Sequence, residues 1–374
     1  MFSNNAPGAA SSAQLLSIEN IQDCHLWDAL VDSASVPDVY YRPGYLRAYQ
    51  ASGHGRAVAL LVETEGLRAL FPLLLRPLSD LGFAGEMDGF DAVTPYGYGG
   101  LLLLAGREDP AAEQVRALLR TLRNWCHERR VISVLLRLHP LLRQEGWLSL
   151  AIDGENRLHS FGPTTALDIS SWNYSKDCIA TLHKGRRSDL SFARRSLHVT
   201  SALELGTVVE DLRWFYELYE HRMEQIGAGD FYHFPPAYYT ALAEGLGSRL
   251  DIIMAWMGER PVGAALFMAD RTLAHYHLSA SNDTGRAHKA TTLILNAAAD
   301  RARRRGCRYL HLGGGATGND KLFDFKRSFG GEVFQYSFFA VICDRERYDK
   351  LLQRRFAALP FQPLRPYFFP EYRA

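Results

Sequence analysis

The stretch Leu310-His311-Leu312-Gly313-Gly314-Gly315 is an apolar strand that runs into three glycines, and Lys321 to Gly331 follows it as Lys-Leu-Phe-Asp-Phe-Lys-Arg-Ser-Phe-Gly-Gly. Gly313, Gly314 and Gly315 can let the backbone approach a ligand closely and leave their N–H groups unobstructed. Lys326, set between Phe325 and Phe329, can place one positive charge beside a developing oxyanion or a phosphate. Acyl transfer and phosphate binding are the chemistries that need such a pair of features.

Three further groups have chemical potential. The segment His183 to Arg195 predicts a basic helix. On it Lys184 shares a face with Arg187, Ser188 and Ser191, and Arg187 shares one with Arg194. That pattern suits a solvated face or contact with phosphate oxygens, which match arginine forks. The segment Asp88 to Gly100 sets Tyr96 and Tyr98 among glycines, an open loop with aromatic walls and hydroxyl donors. Upstream, Asp88 and Asp91 either cap turns or, if one is buried with a raised pKa, accept a proton from an attacking ammonium. Asp91 is the better base candidate because it lies closer to the loop. On Ala274 to Ser281, strict alternation places His275, His277 and Ser279 on one face and Tyr276 and Leu278 on the other. His277 then lines a polar groove or is a satisfied structural histidine, and Tyr276 replaces it if the opposite face points inward. No carboxylate or thiol completes a metal set nearby, so no metal is expected. Arg301, Arg303, Arg304, Arg305 and Arg308 gather where a helix ends; they suit its dipole or an RNA backbone.

These residues need a scaffold of substantial size. A chain of 374 residues that is 47% apolar suggests about two domains with full cores. A net charge of +1 creates no global field for polyanions, so any anion site must be local. Five scattered cysteines without a Cys-x-x-Cys pair point away from a disulfide framework or zinc site and toward a reducing cytosol. Met1 to Ala13 lacks the order of a signal peptide, and no apolar run approaches the roughly 20 residues of a membrane span.

The element pattern repeats. Ala57–Thr64 and Leu67–Leu78 read as a hairpin, as do Leu250–Met257 and Val262–Asp270, with Leu273–Ser281 as a third strand. Each half continues with a helix and a buried strand. The first helix is expected to be capped by Asp109 with Pro110 at its first position, and Val131–Leu138 follows. The second carries Ala290, Leu293, Ile294, Ala297 and Ala298 on its buried face, ends at Gly306, and leads to Arg308–Leu312. Another helix begins at Thr207 with Glu210 completing a capping box, and its apolar face carries Leu212, Phe215, Tyr216, Tyr219 and Met223. Antiparallel strands, then a helix, then a strand suit a mixed, mostly antiparallel α/β sheet flanked by helices, built twice. The expected divisions are 14–165, 166–345 and a Pro/aromatic-rich tail, 346–374, that wraps a surface.

The glycine cluster followed by Phe325-Lys326 and Phe329-Gly330-Gly331 resembles the signature near the end of Fem-type (FemABX) aminoacyl transferases, which are tandem GNAT-fold proteins. The Pro95-Tyr96-Gly97-Tyr98-Gly99-Gly100 run is similar to that of Fem-like proteins from biosynthetic clusters. The resemblance implies an acyltransferase of two tandem GNAT-like domains that forms an amide. The donor implied is aminoacyl-tRNA, and the acceptor an amine of a cell-wall precursor, a surface-polysaccharide sugar or a small metabolite. It also implies no tightly bound cofactor, Lys326 stabilising the oxyanion or positioning the donor, Phe325 packing on the terminal adenosine, and Lys184, Arg186 and Arg187 near phosphates. His311 stands where the family often has an acidic residue. Acyl-CoA-dependent GNAT domains hold pyrophosphate on a glycine-containing loop opening a helix. The matching residues here are Arg286-Ala287-His288-Lys289-Ala290-Thr291, without those glycines. A CoA- or carrier-protein-dependent N-acyltransferase is the alternative. A non-catalytic RNA or nucleotide-sugar binder is a second one.

Overall fold

The computed structural model describes residues 11–64, 66–104, 109–170, 183–315, 320–360 and 368–374. The expectations for Met1 to Ala13 and for the tail, 346–374, lie partly outside them. The chain forms two compact units: residues 1–35, 40–161 and 336–374 make the first, and 36–39 and 162–335 the second.

In the first unit the strands are β1 (Ser12–Ser17), β2 (Arg56–Thr64), β3 (Leu67–Pro77), β4 (Phe90–Val93), β5 (Leu102–Leu104) and β6 (Val131–Arg137). The second holds the end of β7 (Asn156–Asp168), then β8 (His198–Ser201), β9 (Leu250–Met257), β10 (Arg260–Ala269), β11 (Leu273–Ser281) and β12 (Tyr309–Gly314). Strand β13 (Glu332–Ile342) returns the chain to the first unit. The helices in chain order are α1 (Ile21–Ser33), α2 (Pro43–Ala51), α3 (Ala112–Glu128), α4 (Gln144–Leu148), α5 (Lys184–Ala193), α6 (Ala202–Leu205), α7 (Val208–Gln225), α8 (Pro236–Leu246), α9 (Asp283–Ala287), α10 (Ala290–Arg304), α11 (Lys321–Arg327) and α12 (Arg345–Ala358). None is long and apolar enough to cross a membrane among the described residues.

The first unit's strands run β1-β2-β3-β4-β6-β13, with β5 also on β3. The second unit's run β7-β12-β11-β10-β9-β8. Pairing is antiparallel except for one parallel pair in each unit, β4 with β6 and β11 with β12. The fold is thus mixed α/β with mostly antiparallel sheets. Both expected hairpins form. Gly66 at φ +76° and Gly258 at φ +58° turn them, a conformation that costs a glycine little.

Helix starts differ from expectation. Helix α3 begins two residues later than expected, capped by Ala111, because the Gln114 side chain turns back to accept from the Ala111 N–H at 3.0 Å. Thr207 makes no side-chain cap to α7; its hydroxyl instead donates to Asp211 Oδ2 at 2.9 Å. The buried face of α10 carries Ala290, Leu293, Ile294 and Ala298, packed on a cluster that includes Val262, Ala265, Leu310 and Leu312. Each large apolar residue there contributes about 1.5–3 kcal/mol of burial. That face fixes α10 against the strands that carry the candidate site.

Candidate active site

In the second unit the parallel pair β11/β12 is short. Leu273, Ala274 and His275 pair with Tyr309, Leu310 and His311, and no further ladder pair joins the two strands among the described residues. Strand β11 nevertheless runs on to Ser281 and β12 to Gly314. The strands therefore part at His275 and His311. Lys326 enters this wedge from α11. Its Nζ donates to the Gly314 carbonyl at 2.7 Å, at the end of β12, and lies 5.7 Å from the ring centre of Tyr276, the first β11 residue past the split.

Helix α11 reaches this place because Asp320 caps it, accepting from the N–H groups of Leu322 and Phe323 at 2.9 Å each. Phe323 and Phe329 are buried and anchor the helix. Burial pushes the Lys326 ammonium down to about 8, against a smaller opposing pull from Asp320. A partly buried ammonium with one hydrogen bond and one aromatic face among the described residues retains donors for a further oxygen. Such a group can meet a developing oxyanion in a low-dielectric setting.

The glycines have duties inside the sheet. Gly313 adopts φ +76° where the β12/β7 register slips between His311 and Gly313. At Gly314 a side chain would meet the Pro163 carbonyl at 2.8 Å, so its smallness is used against the neighbouring strand. The close approach expected at Gly313 and Gly314 is therefore explained without a ligand. The Gly314 carbonyl contributes by holding Lys326.

Strict alternation fails on β11. Its pairing with β10 slips between Leu266 and Phe267, which face Leu278 and Tyr276, so β11 carries an extra residue at His277. Past the bulge the pattern inverts. Tyr276 and Ser279, expected on opposite faces, have their hydroxyls hydrogen-bonded to each other. Burial raises the Tyr276 phenol to about 12, partly offset by Ser279, so it stays protonated at ordinary pH. His277 Nε2 lies 2.7 Å from the Tyr238 hydroxyl. Burial, with His275 adding to it, lowers His277 to about 3, so the ring stays neutral. Tyr276 is thus the residue beside Lys326, and His277 is held by α8.

A carboxylate does reach this strand. Asp38 Oδ2 sits 2.6 Å from His275 Nε2, both fully buried, and the His311 ring packs edge-on to His275 at 5.6 Å. Sequence spacing did not show it, because the acid comes from a segment 237 residues earlier.

The basic helix divides. Arg186 stands over Phe325 at 5.4 Å and over Phe329 at 5.7 Å, and pairs with Asp189 at 3.0 Å. Its guanidinium is thereby engaged in docking α5 on α11. Lys184 and Arg187 are exposed. The arginines at the end of α10 are engaged with protein. Arg301 binds Glu204, Arg303 and Arg304 bind Asp300 at 2.9 and 3.0 Å, Arg305 donates to the Ser248 carbonyl, and Arg308 meets Asp168.

The first unit holds Asp91, Tyr96 and Tyr98. Asp91 is fully buried, and its carboxylate accepts from Arg76 Nε at 2.6 Å, from Arg373 Nε, and from the Tyr372 hydroxyl at 3.2 Å. Two guanidiniums and a phenol occupy its oxygens. The carboxylate expected to serve as a base is thus engaged inside its own unit. The Tyr45 hydroxyl donates to the Tyr96 carbonyl at 2.7 Å and the Tyr336 hydroxyl to the Gly97 carbonyl at 3.3 Å. Tyr98 packs edge-on to Tyr336 at 4.9 Å and to Tyr40 at 5.5 Å. These contacts pin the loop.

Residues 184–327 match the family model "Acetyltransferase (GNAT) domain". Those residues include α5, the split strands and Lys326. Among solved structures, FemX is similar at 13% identity and TM-score 0.62, covering 87% of this chain and 98% of that one. L-PGS from Bacillus licheniformis is similar at 13% identity and TM-score 0.53, covering 88% and 96%. The C-terminal domain of a proposed lysylphosphatidylglycerol synthetase from Agrobacterium fabrum follows at 12% identity and TM-score 0.54, covering 90% and 96%. No protein of curated function matches the sequence. Residues 184–327 are thus an acyltransferase domain of the GNAT type, and the chain has the fold of FemX.

Proposed function

We propose that this protein transfers an aminoacyl group from aminoacyl-tRNA to an amine, forming an amide. The acceptor amine belongs to a cell-wall precursor, a surface-polysaccharide sugar or a small metabolite. The observation that carries the reading is Lys326 in the β11/β12 wedge, a partly buried ammonium answered by one carbonyl and one ring.

The amine nitrogen attacks the ester carbonyl, and a C–N bond forms as a tetrahedral oxyanion develops. Lys326 donates to that oxygen. The C–O bond to the ribose then breaks, and the proton shed by nitrogen is the one the departing hydroxyl needs. The transfer therefore balances without a resident base, which suits a chain whose Asp91 is engaged elsewhere. Phe325, half-buried beside Arg186, packs on the terminal adenosine, and exposed Lys184 and Arg187 meet phosphates. Tyr96 and Tyr98 are proposed to contact the acceptor. Because an aminoacyl ester is already activated, alignment supplies much of the rate.

The entry to α10 supports this donor. Lys289 precedes it at φ +60°, with His288 and Ala287 before it, where a pyrophosphate would need small residues. A tRNA donor would place the protein in the cytosol. A CoA- or carrier-protein-dependent N-acyltransferase is the second reading, favoured by the acetyltransferase description of the matched family.

Purified protein, charged tRNA and candidate amines provide the test. The tRNA reading expects RNase pretreatment to abolish amide formation. Product that survives RNase and requires acyl-CoA overturns it.

A further inference from the structure

Helix α5 presents a face that the wedge does not use. Lys184, Ser188, Phe192 and Arg195 follow one another at helical spacing and are all exposed, and Arg187, Ser191 and Arg194 flank them, exposed as well. Asp189 is paired with Arg186 on the other side. Phe192 is 38% exposed. It is nonetheless not a stray apolar residue. The His288 ring, from the α9–α10 junction, stacks on it at 5.9 Å with an interplanar angle of 16°, and Arg195 stands over it at 5.3 Å. Lys289, exposed, adjoins His288.

We infer that this face is a binding surface for the single-stranded end of an RNA, with the Phe192–His288–Arg195 stack taking a nucleobase and the flanking cations taking phosphates. A sequence-tolerant single-strand site combines aromatic faces with a cationic track, and a guanidinium plane stacks on a base as an aromatic ring does. Position along the chain supports the assignment. Six residues separate Arg186, seated on Phe325, from Phe192, about 9 Å along the helix axis. An RNA end whose last nucleotide reached Lys326 would thus extend over α5. The inference rests on the tRNA reading and deepens it by naming where the donor lies.

The probe is a fluorescein-labelled RNA stem-loop with a single-stranded CCA end, titrated with full-length protein by anisotropy. A blunt stem and coenzyme A serve as competitors. The expected results are preferential binding of the CCA-ended RNA, about tenfold loss for Phe192→Ala, and recovery with Phe192→Trp. Arg195→Gln is expected to lower the dependence of log affinity on log salt by about one unit. Phe192→Leu, which keeps apolar bulk, must lose affinity like the alanine variant. Unchanged RNA affinity in both Phe192 variants, with the parent binding RNA, overturns this inference and leaves the donor reading standing. A parent that binds no RNA and keeps turnover after RNase overturns both. Competition by coenzyme A that depends on Phe192 assigns the stack to the adenine of CoA and likewise overturns the RNA assignment.

Discussion

The two parallel strand pairs end in opposite ways. In the first unit β4 and β6 part beyond Val93, and backbone closes the wedge. The Thr94 N–H donates to Leu135 O at 3.0 Å, the Arg137 N–H to Thr94 Oγ1 at 2.9 Å, and the Gly100 N–H to Arg137 O at 2.6 Å, while the Arg137 guanidinium donates to the Thr94 carbonyl. In the second unit the strands part beyond His275 and His311, and one ammonium enters. A loop that returns as backbone brings donors and acceptors in matched number and leaves little for a ligand. A lysine brings three donors and has one protein acceptor here among the described residues. The charged groups follow the same division. Asp91 is neutralised by two arginines, and Lys326 has no carboxylate within salt-bridge range among the described residues. Similar strand geometry is thus consumed by structure in one unit and left available for chemistry in the other.

The largest effect expected from this contrast is on stability in the first unit. Asp91→Ala leaves Arg76 and Arg373 facing each other around a buried void, at a cost of about 3–5 kcal/mol. Chemical denaturation should show the loss, with turnover per folded molecule unchanged. A rate that collapses while the midpoint of unfolding holds would restore Asp91 as a catalytic group and break the contrast. Lys326→Met is next, and it should do the reverse. It should lower kcat by about 10²–10³, with an unfolding midpoint no lower than the parent's, because a partly desolvated ammonium is removed with similar volume retained.

The pH profile sharpens the same point. With Lys326 lowered to about 8, its charged form fades above that pH. If it stabilises an oxyanion, kcat falls about tenfold per pH unit beyond 8. A rate that climbs through pH 8 would instead make neutral Lys326 the proton acceptor. Stability has its own sign. The folded state releases this proton near 8 and the unfolded state near the ordinary 10.5, so stability rises with pH across that window. Lys326→Met should flatten that rise.

What the sequence revealed follows the range of the forces involved. Strand β11 appears with its expected ends, Leu273 and Ser281, because the turn-forming Asp270 before it and Asn282-Asp283 after it are local signals. The Lys326 neighbourhood was also readable, since helix α11 and the end of β12 are close in sequence. The faces of β11 were not, because the bulge at His277 depends on the partner strand's register. Asp91 could not be judged either, because Arg373 lies 282 residues away. The arginines at the end of α10 read as a cationic cluster until Glu204 and Asp168 arrive from elsewhere in the fold. Asp38 beside His275 is the same case. Local pattern gives the elements, and long-range pairing decides which charges remain for function.

The smallest effect tests the second unit at single-atom scale. Tyr276 offers Lys326 the face of its ring, while its hydroxyl is engaged by Ser279. Tyr276→Phe keeps the ring and removes the hydroxyl. The Ser279 hydroxyl is half-exposed and can turn to water, so little desolvation penalty follows. The expected change in kcat is about threefold or less, with the Lys326 limb of the pH profile unmoved. Tyr276→Leu removes the aromatic face and its hold on the ammonium, and should shift that limb. A Phe variant as damaged as the Leu variant would mean that the phenol itself touches the reacting atoms. Tyr276 would then join Lys326 as a catalytic residue, and the second unit's wedge would contain two donors instead of one.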